Sequence, residues 1–196
     1  MEIDPHQLDK AAGYQLMISL LLPRPIAWVG SWDGEQTDNL APFSYFMGVS
    51  ALPPRVAFSV ARGRAGGLKH TARNILATGE FSISMVEEGH LGPMHQSSGA
   101  WEQSEFDAVG IARAAGHRIR APRVRDARVA MECKLVQSLD LESTHLFVGE
   151  VLLYHIAPEL LKNGRVDIEN YHPVARLGGD GYCMLGGRVD LPPVRV

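Results

Sequence analysis

The chain has 196 residues, a formal net charge of −3, 45% hydrophobic and 21% charged residues, enough to bury a core without disulfides or metal. This balance excludes a disordered or polybasic chain, and two cysteines, Cys133 and Cys183, with no CxxC spacing exclude a disulfide framework. Met1-Glu2-Ile3-Asp4-Pro5 lacks the basic and apolar regions of a signal peptide, and the apolar run Leu16 to Leu22 is too short to cross a bilayer, so a cytoplasmic protein without membrane contact is expected.

Asp4-Pro5 offers an N-cap and a first-turn proline, predicting a short helix to about Ala12. Arg24 to Ser31 reads as a strand, and Asn39 to Phe46 as a second extended run after a turn. In Val56 to Ala61 the large residues Val56, Phe58 and Val60 fall on one face, and Ala57, Ser59 and Ala61 on the other. Leu68, Ala72, Ile75 and Leu76 form a helical stripe that stops at Gly79, and Phe81 to Met85 alternates again. A third helix is predicted from about Glu87 to Gln96, although Gly92-Pro93 works against it. Arg113, Arg118, Arg120, Arg123, Arg125 and Arg128 lack interleaved aromatics and sit in an acidic chain, so they read as the wet face of an edge strand and not as a nucleic-acid patch. Val129 to Ser138 and His145 to Ile156 read as long strands joined by a turn near Asp140 to Ser143, apolar enough to be buried on both faces. With no repeat or linker, residues 1–196 read as one mainly β (α+β) barrel domain with a few peripheral helices.

The motif census removes several chemistries. GxGxxG, the P-loop, GxSxG and HExxH are all absent, which argues against a Rossmann site, phosphoryl transfer, an α/β-hydrolase and a zinc protease. No metal site is expected. What stands out is a set of small, aromatic and uncharged residues suited to a flat ligand. Trp28, Phe43 and Phe46 can wall its apolar body, while Asn39, Ser44 and Ser59 can answer its polar edge. Gly63-Arg64-Ala65-Gly66-Gly67 leads into Lys69-His70-Thr71 at a helix start, where backbone amides, Lys69 and the Thr71 hydroxyl could hold one phosphate.

These segments resemble the flavin reductase-like, FMN-binding split-barrel family. The resemblance runs through RPIAWVGS at 24–31, NLAPFSYF at 39–46, KxT at 69–71 with Asn74, TGEF at 78–81, and Arg176-Leu177-Gly178-Gly179 with Tyr182. It implies a six-stranded split β-barrel, a homodimer with FMN rather than FAD near the subunit interface, and reduction by NAD(P)H. By motif, Ala27, Trp28 and Val29 would line the flavin ring. Asn39, Ala41, Pro42, Phe43, Ser44, Ser59, Val60 and Tyr182 would complete its pocket, and Lys69 with Thr71 would take the phosphate. His145 would be the catalytic group orienting the nicotinamide. Reductases of the aromatic-hydroxylase type carry Gly-Asp-His where this chain has Ser143-Thr144-His145. The implied activity is therefore an NAD(P)H:flavin reductase, with a flavoredoxin-like electron-transfer protein as the alternative and a monooxygenase or redox protein as partner.

Overall fold

A computed structural model describes residues 1–63 and 65–192; Arg64 of the predicted phosphate turn lies outside the described residues. Seven strands form the main sheet: β1 (Ala27–Trp32), β2 (Asp38–Phe43), β3 (Phe46–Ala51), β4 (Pro54–Ala61), β5 (Glu80–Met85), β6 (Val129–Leu141) and β7 (Thr144–Ile156). Their spatial order is β2-β1-β5-β6-β7-β4-β3, and every neighbouring pair is antiparallel. The two end strands, β2 and β3, are separated in sequence only by Ser44 and Tyr45. One bent run thus supplies both edges of the curled sheet, which reconciles seven observed strands with the six expected. Where the run bends, the Ser59 amide on β4 donates to the Tyr45 carbonyl at 3.0 Å. The Phe43 and Phe58 rings meet across the gap at 5.4 Å. Curling in this way shields sheet edges that would otherwise be open to strangers.

The period-two reading of β4 holds. Val56, Phe58 and Val60 point inward, where Phe58 meets Phe81 at 5.3 Å and Phe147 at 5.7 Å between ring centroids. Each such fully buried phenyl contributes about 2–3 kcal/mol of burial. Helix α2 (His70–Thr78) adds Ala72 and Ile75 to this inner core and ends at Gly79, whose φ of 73° is the left-handed conformation a C-cap requires.

A second apolar cluster covers the outer face of β1 and β5. Helices α3 (Leu91–Gln96) and α4 (Glu105–Ala108) bring Met94 and Phe106 against Trp28, Leu40 and Val86. On this same face Gly30 passes under the segment carrying Pro122. A Cβ at Gly30 would lie 2.0 Å from the Pro122 carbonyl oxygen, so only glycine fits.

Three expectations need correction. The first α-helix, α1 (Lys10–Leu20), starts later than predicted, with Asp9 as its cap accepting from the Ala12 amide at 2.8 Å. Asp4 caps only a short 3-10 turn, Pro5–Gln7. The arginine-rich stretch is no edge strand but a loop laid over the sheet, with two-residue strands at Arg113–Ala114 and Arg123–Val124. Its backbone donors go to sheet carboxylates: His117 and Arg118 to Glu132, Arg120 and Ala121 to Glu80. Arg113 pairs with Asp38 and Asp107, and Arg128 with Glu87. The distal half of β6 is not buried on both faces, since Val136, Leu139 and Leu141 are exposed. Cys133 is buried and Cys183 half-buried, and both thiols are free, as the cysteine spacing predicts.

Candidate functional site

Alternation on β4 builds the floor of the site. With the large residues turned inward, Ala57 and Ser59 face the other side of the sheet, beside Leu146 of β7, which pairs directly with Ser59. Over them opens a cavity of about 490 Å³, walled by Ser44, Tyr45, Phe46 and Met47 and by Leu20 to Pro25 from the end of α1. Burial pushes the Tyr45 hydroxyl above the usual phenol range, with Tyr14 adding to the shift and Arg24 opposing it.

Arg24 sets the edge of this cavity. Only 7% exposed, it donates to the carbonyls of Ile18 at 2.5 Å, Leu21 at 3.0 Å and Leu177 at 2.9 Å, and to the Ser44 hydroxyl at 3.3 Å. A cation placed on the last carbonyls of α1 also meets the negative end of the helix dipole. Arg24 therefore ties helix, bend and C-terminal segment together. Beyond it lies a smaller cavity of about 180 Å³, which includes Pro42, Phe43, Ser44, Arg176 and Tyr182 in its wall. Tyr182 carries the Arg176 guanidinium 4.6 Å above its ring, its hydroxyl accepts from the same guanidinium, and it meets Nδ1 of His95 at 2.8 Å.

The predicted residues separate into groups. Ser44 and Ser59 line the large cavity; Pro42, Phe43, Ser44 and Tyr182 line the small one. Ala27, Val29 and Val60 are inner-core residues, with Ala41 packed against them. Trp28 is fully buried on the opposite face of β1, where its indole donates to the Ser97 hydroxyl at 2.9 Å. Asn39 lines a third cleft of about 220 Å³; with its amide oriented to suit its neighbours, Oδ1 accepts from Thr71 at 2.9 Å and Nδ2 donates to Glu105 at 3.3 Å. Burial raises the Glu105 carboxyl above its ordinary range, with bonds from the Leu40 amide working against the shift. Thr71 is thus buried and committed to Asn39, while Lys69 is exposed at the start of α2. His145 sits on the inner face of β7, its ring stacked on Phe147 at 4.8 Å, with neither buried ring nitrogen bonded among the described residues. It faces away from Ser59 and Leu146, which point to the large cavity.

Sequence reasoning missed Arg24, Tyr45, Leu146 and the leucines of the α1 end as cavity residues. For the leucines a signal existed: the apolar run Leu20 to Leu22, which the chain leaves exposed at the end of α1.

Residues 19–173 match the flavin reductase like domain. A protein of Aquifex aeolicus is 34% identical over 194 residues, covering 97% of this chain and 99% of its own. The structure of nitrilotriacetate monooxygenase component B from Bacillus cereus superposes with a TM-score of 0.92 at 31% identity, covering 97% of this chain and 98% of that one. That of Pseudomonas fluorescens 2-nitrobenzoate 2-nitroreductase gives 0.89 at 31% identity, covering 98% and 95%. A domain match over most of the sequence, on a curled sheet whose small-residue floor opens into a large cavity, establishes that this chain belongs to the flavin reductase-like family.

Proposed function

We propose that the chain is an FMN-dependent oxidoreductase of the NAD(P)H:flavin reductase type. The observation that carries this reading is the cavity floored by Ala57 and Ser59. Small residues leave a bed for a flat ring, and Tyr45 and Phe46 wall it. The polar side chains it offers, Ser44, Ser59 and Arg24, suit the heteroatom edge of such a ring. A bound flavin would supply the redox chemistry by accepting a hydride from reduced nicotinamide at N5. The chain's own part is to orient the rings and exclude water, for which no protein nucleophile is required. Lys69, exposed at the start of α2, can offer a cation to an anionic group; Thr71 can donate its hydroxyl to one only by leaving Asn39. In this reading His145 supports the strand beneath the cavity, because its ring faces the barrel interior.

A homodimer belongs to the same proposal. Tyr14, Met17 and Leu20 to Leu22 on or just after α1, and Met47 and Val49 on β3, leave an apolar surface around the cavity mouth that a second copy would cover. The Bacillus cereus relative is a monooxygenase component, which supports a monooxygenase or another redox protein as recipient of the electrons.

One observation favours a second reading, a flavoredoxin-like electron carrier. Ser143-Thr144 stand where a Gly-Asp pair would precede the histidine, and His145 is turned away from the cavity. Anaerobic mixing of the flavin-loaded protein with NADH and with NADPH separates the two. The reductase reading expects loss of the oxidised flavin's visible absorbance with one of them. No bleaching with either would overturn it in favour of the carrier.

A further inference from the structure

The small cavity beside the candidate flavin site has an unusual charge balance. Its wall includes two guanidinium groups, Arg24 and Arg176, the hydroxyls of Ser44, Tyr14 and Tyr182, and Ser98. Among the described residues no carboxylate lines it. Arg176 has one acidic partner, Asp180 at 3.1 Å, whose side chain is 89% exposed and well solvated. Arg24 forms no ion pair among the described residues although it is buried. A buried cation held only by neutral acceptors keeps most of its desolvation cost, and the end of α1 offsets only part of a unit charge.

Donor counting points the same way. A guanidinium has five N–H groups. Arg24 makes four bonds, to Ile18, Leu21, Leu177 and Ser44, which leaves one N–H on its Nη2. Arg176 spends its donors on Gly179, Asp180 and Tyr182 and keeps one N–H on its Nη1. Because Ser44 accepts from Arg24, its own hydroxyl proton is available to a further acceptor.

We propose that this cavity is an oxyanion subsite, taking a carboxylate or phosphate group between Arg24 and Arg176. It shares Arg24 and Ser44 with the large cavity, so an anionic group here can belong to a ligand whose flat body lies there. The proposal rests on the flavin reading only for the identity of that neighbour. Two sources share this chemistry: the phosphate of the flavin itself, and the carboxylate of an acidic aromatic that reacts beside it.

Titrations of FMN, riboflavin and benzoate into the full-length protein, wild type and Arg176→Gln, test the subsite and distinguish the sources. If it holds the flavin phosphate, Arg176→Gln weakens FMN by about tenfold or more and leaves riboflavin unchanged. If it holds a separate carboxylate, both flavins bind unchanged while saturable benzoate binding falls by about tenfold or more, with Arg176→Lys restoring part of it. Ser98→Asp, which leaves both arginines in place and adds a carboxylate to the wall, should lower the same affinity even if Arg176→Gln folds poorly. The proposal is overturned if all three ligands are indifferent to both substitutions, or if FMN and riboflavin weaken equally with no change for benzoate. Should wild type bind neither flavin, the flavin reading fails on its own, and the benzoate arm still decides the subsite.

Discussion

Replacing Ser59 by Phe is expected to lower FMN affinity by about a hundredfold or more, a loss of roughly 2.7 kcal/mol or greater, while the protein still folds. Ser59 is half-buried on β4 and faces the large cavity, and its hydroxyl bonds to nothing among the described residues. What holds the residue in place is its backbone: pairing with Leu146 on β7 and donation from its amide to Tyr45. A phenyl ring is compatible with both and with strand geometry. It would, however, occupy the bed on which a flat ligand would lie. Ser59→Ala removes only the hydroxyl and should cost about tenfold or less, the worth of one hydrogen bond. Fluorescence titration of FMN gives the affinities, and urea unfolding checks the fold. If Ser59→Phe binds FMN as wild type does, the cavity is not the flavin bed, whatever the chain's activity.

The largest loss of stability is expected from Glu132→Leu, about 3–5 kcal/mol. Glu132 lies on the outer face of β6, with no exposure at all. Its carboxylate accepts from the amides of His117 at 2.8 Å and Arg118 at 2.6 Å and meets Nε2 of His155 at 2.6 Å. Leucine would leave two backbone donors and an imidazole nitrogen without their acceptor, and would release the loop they hold against the sheet. Glu132→Gln keeps the shape and one acceptor oxygen, so it should lose less, about 1–3 kcal/mol.

The pH dependence follows from the same contacts. Burial by itself would raise the Glu132 carboxyl, but the bonds from His117, His155 and Arg118 outweigh it and hold the group below the usual range. A carboxyl lowered in the folded state stabilises the protein fully above its unfolded pKa of roughly 4.3. That contribution is lost as pH falls through the lower folded value. The gap between wild type and Glu132→Gln in urea unfolding should therefore be largest near neutral pH and close below about pH 4. Equal stability of wild type and Glu132→Leu at pH 7 would show that the loop is held by something else.

Much of the fold was legible from local pattern because it is decided locally. The inward Val56, Phe58 and Val60 and the outward Ala57 and Ser59 follow from the two-residue period of a strand, and Gly79 ends its helix through its own φ. The family resemblance likewise rests on residue types in order, and the domain match agrees with it. Other features depend on which donor meets which acceptor across the fold. Nothing near Thr71 announces that its hydroxyl will be spent on Asn39, 32 positions earlier. The arginine-rich stretch alternates like an edge strand, yet Glu80 and Glu132 capture its amides from elsewhere in the chain.

By itself, then, the sequence determined the two faces of β4, the end of α2 at Gly79 and the flavin reductase-like character, since each depends on side-chain type and short-range spacing. Only the tertiary structure decided that one bent run, β2 to β3, supplies both edges of the sheet, that Trp28 and His145 turn away from the cavity, and that Arg24 joins α1 to the C-terminal segment. The physical reason is range. A strand's alternation is fixed within a few residues, whereas the destination of a buried guanidinium or an indole N–H is fixed by backbone groups that folding brings near, such as Leu177, 153 positions from Arg24.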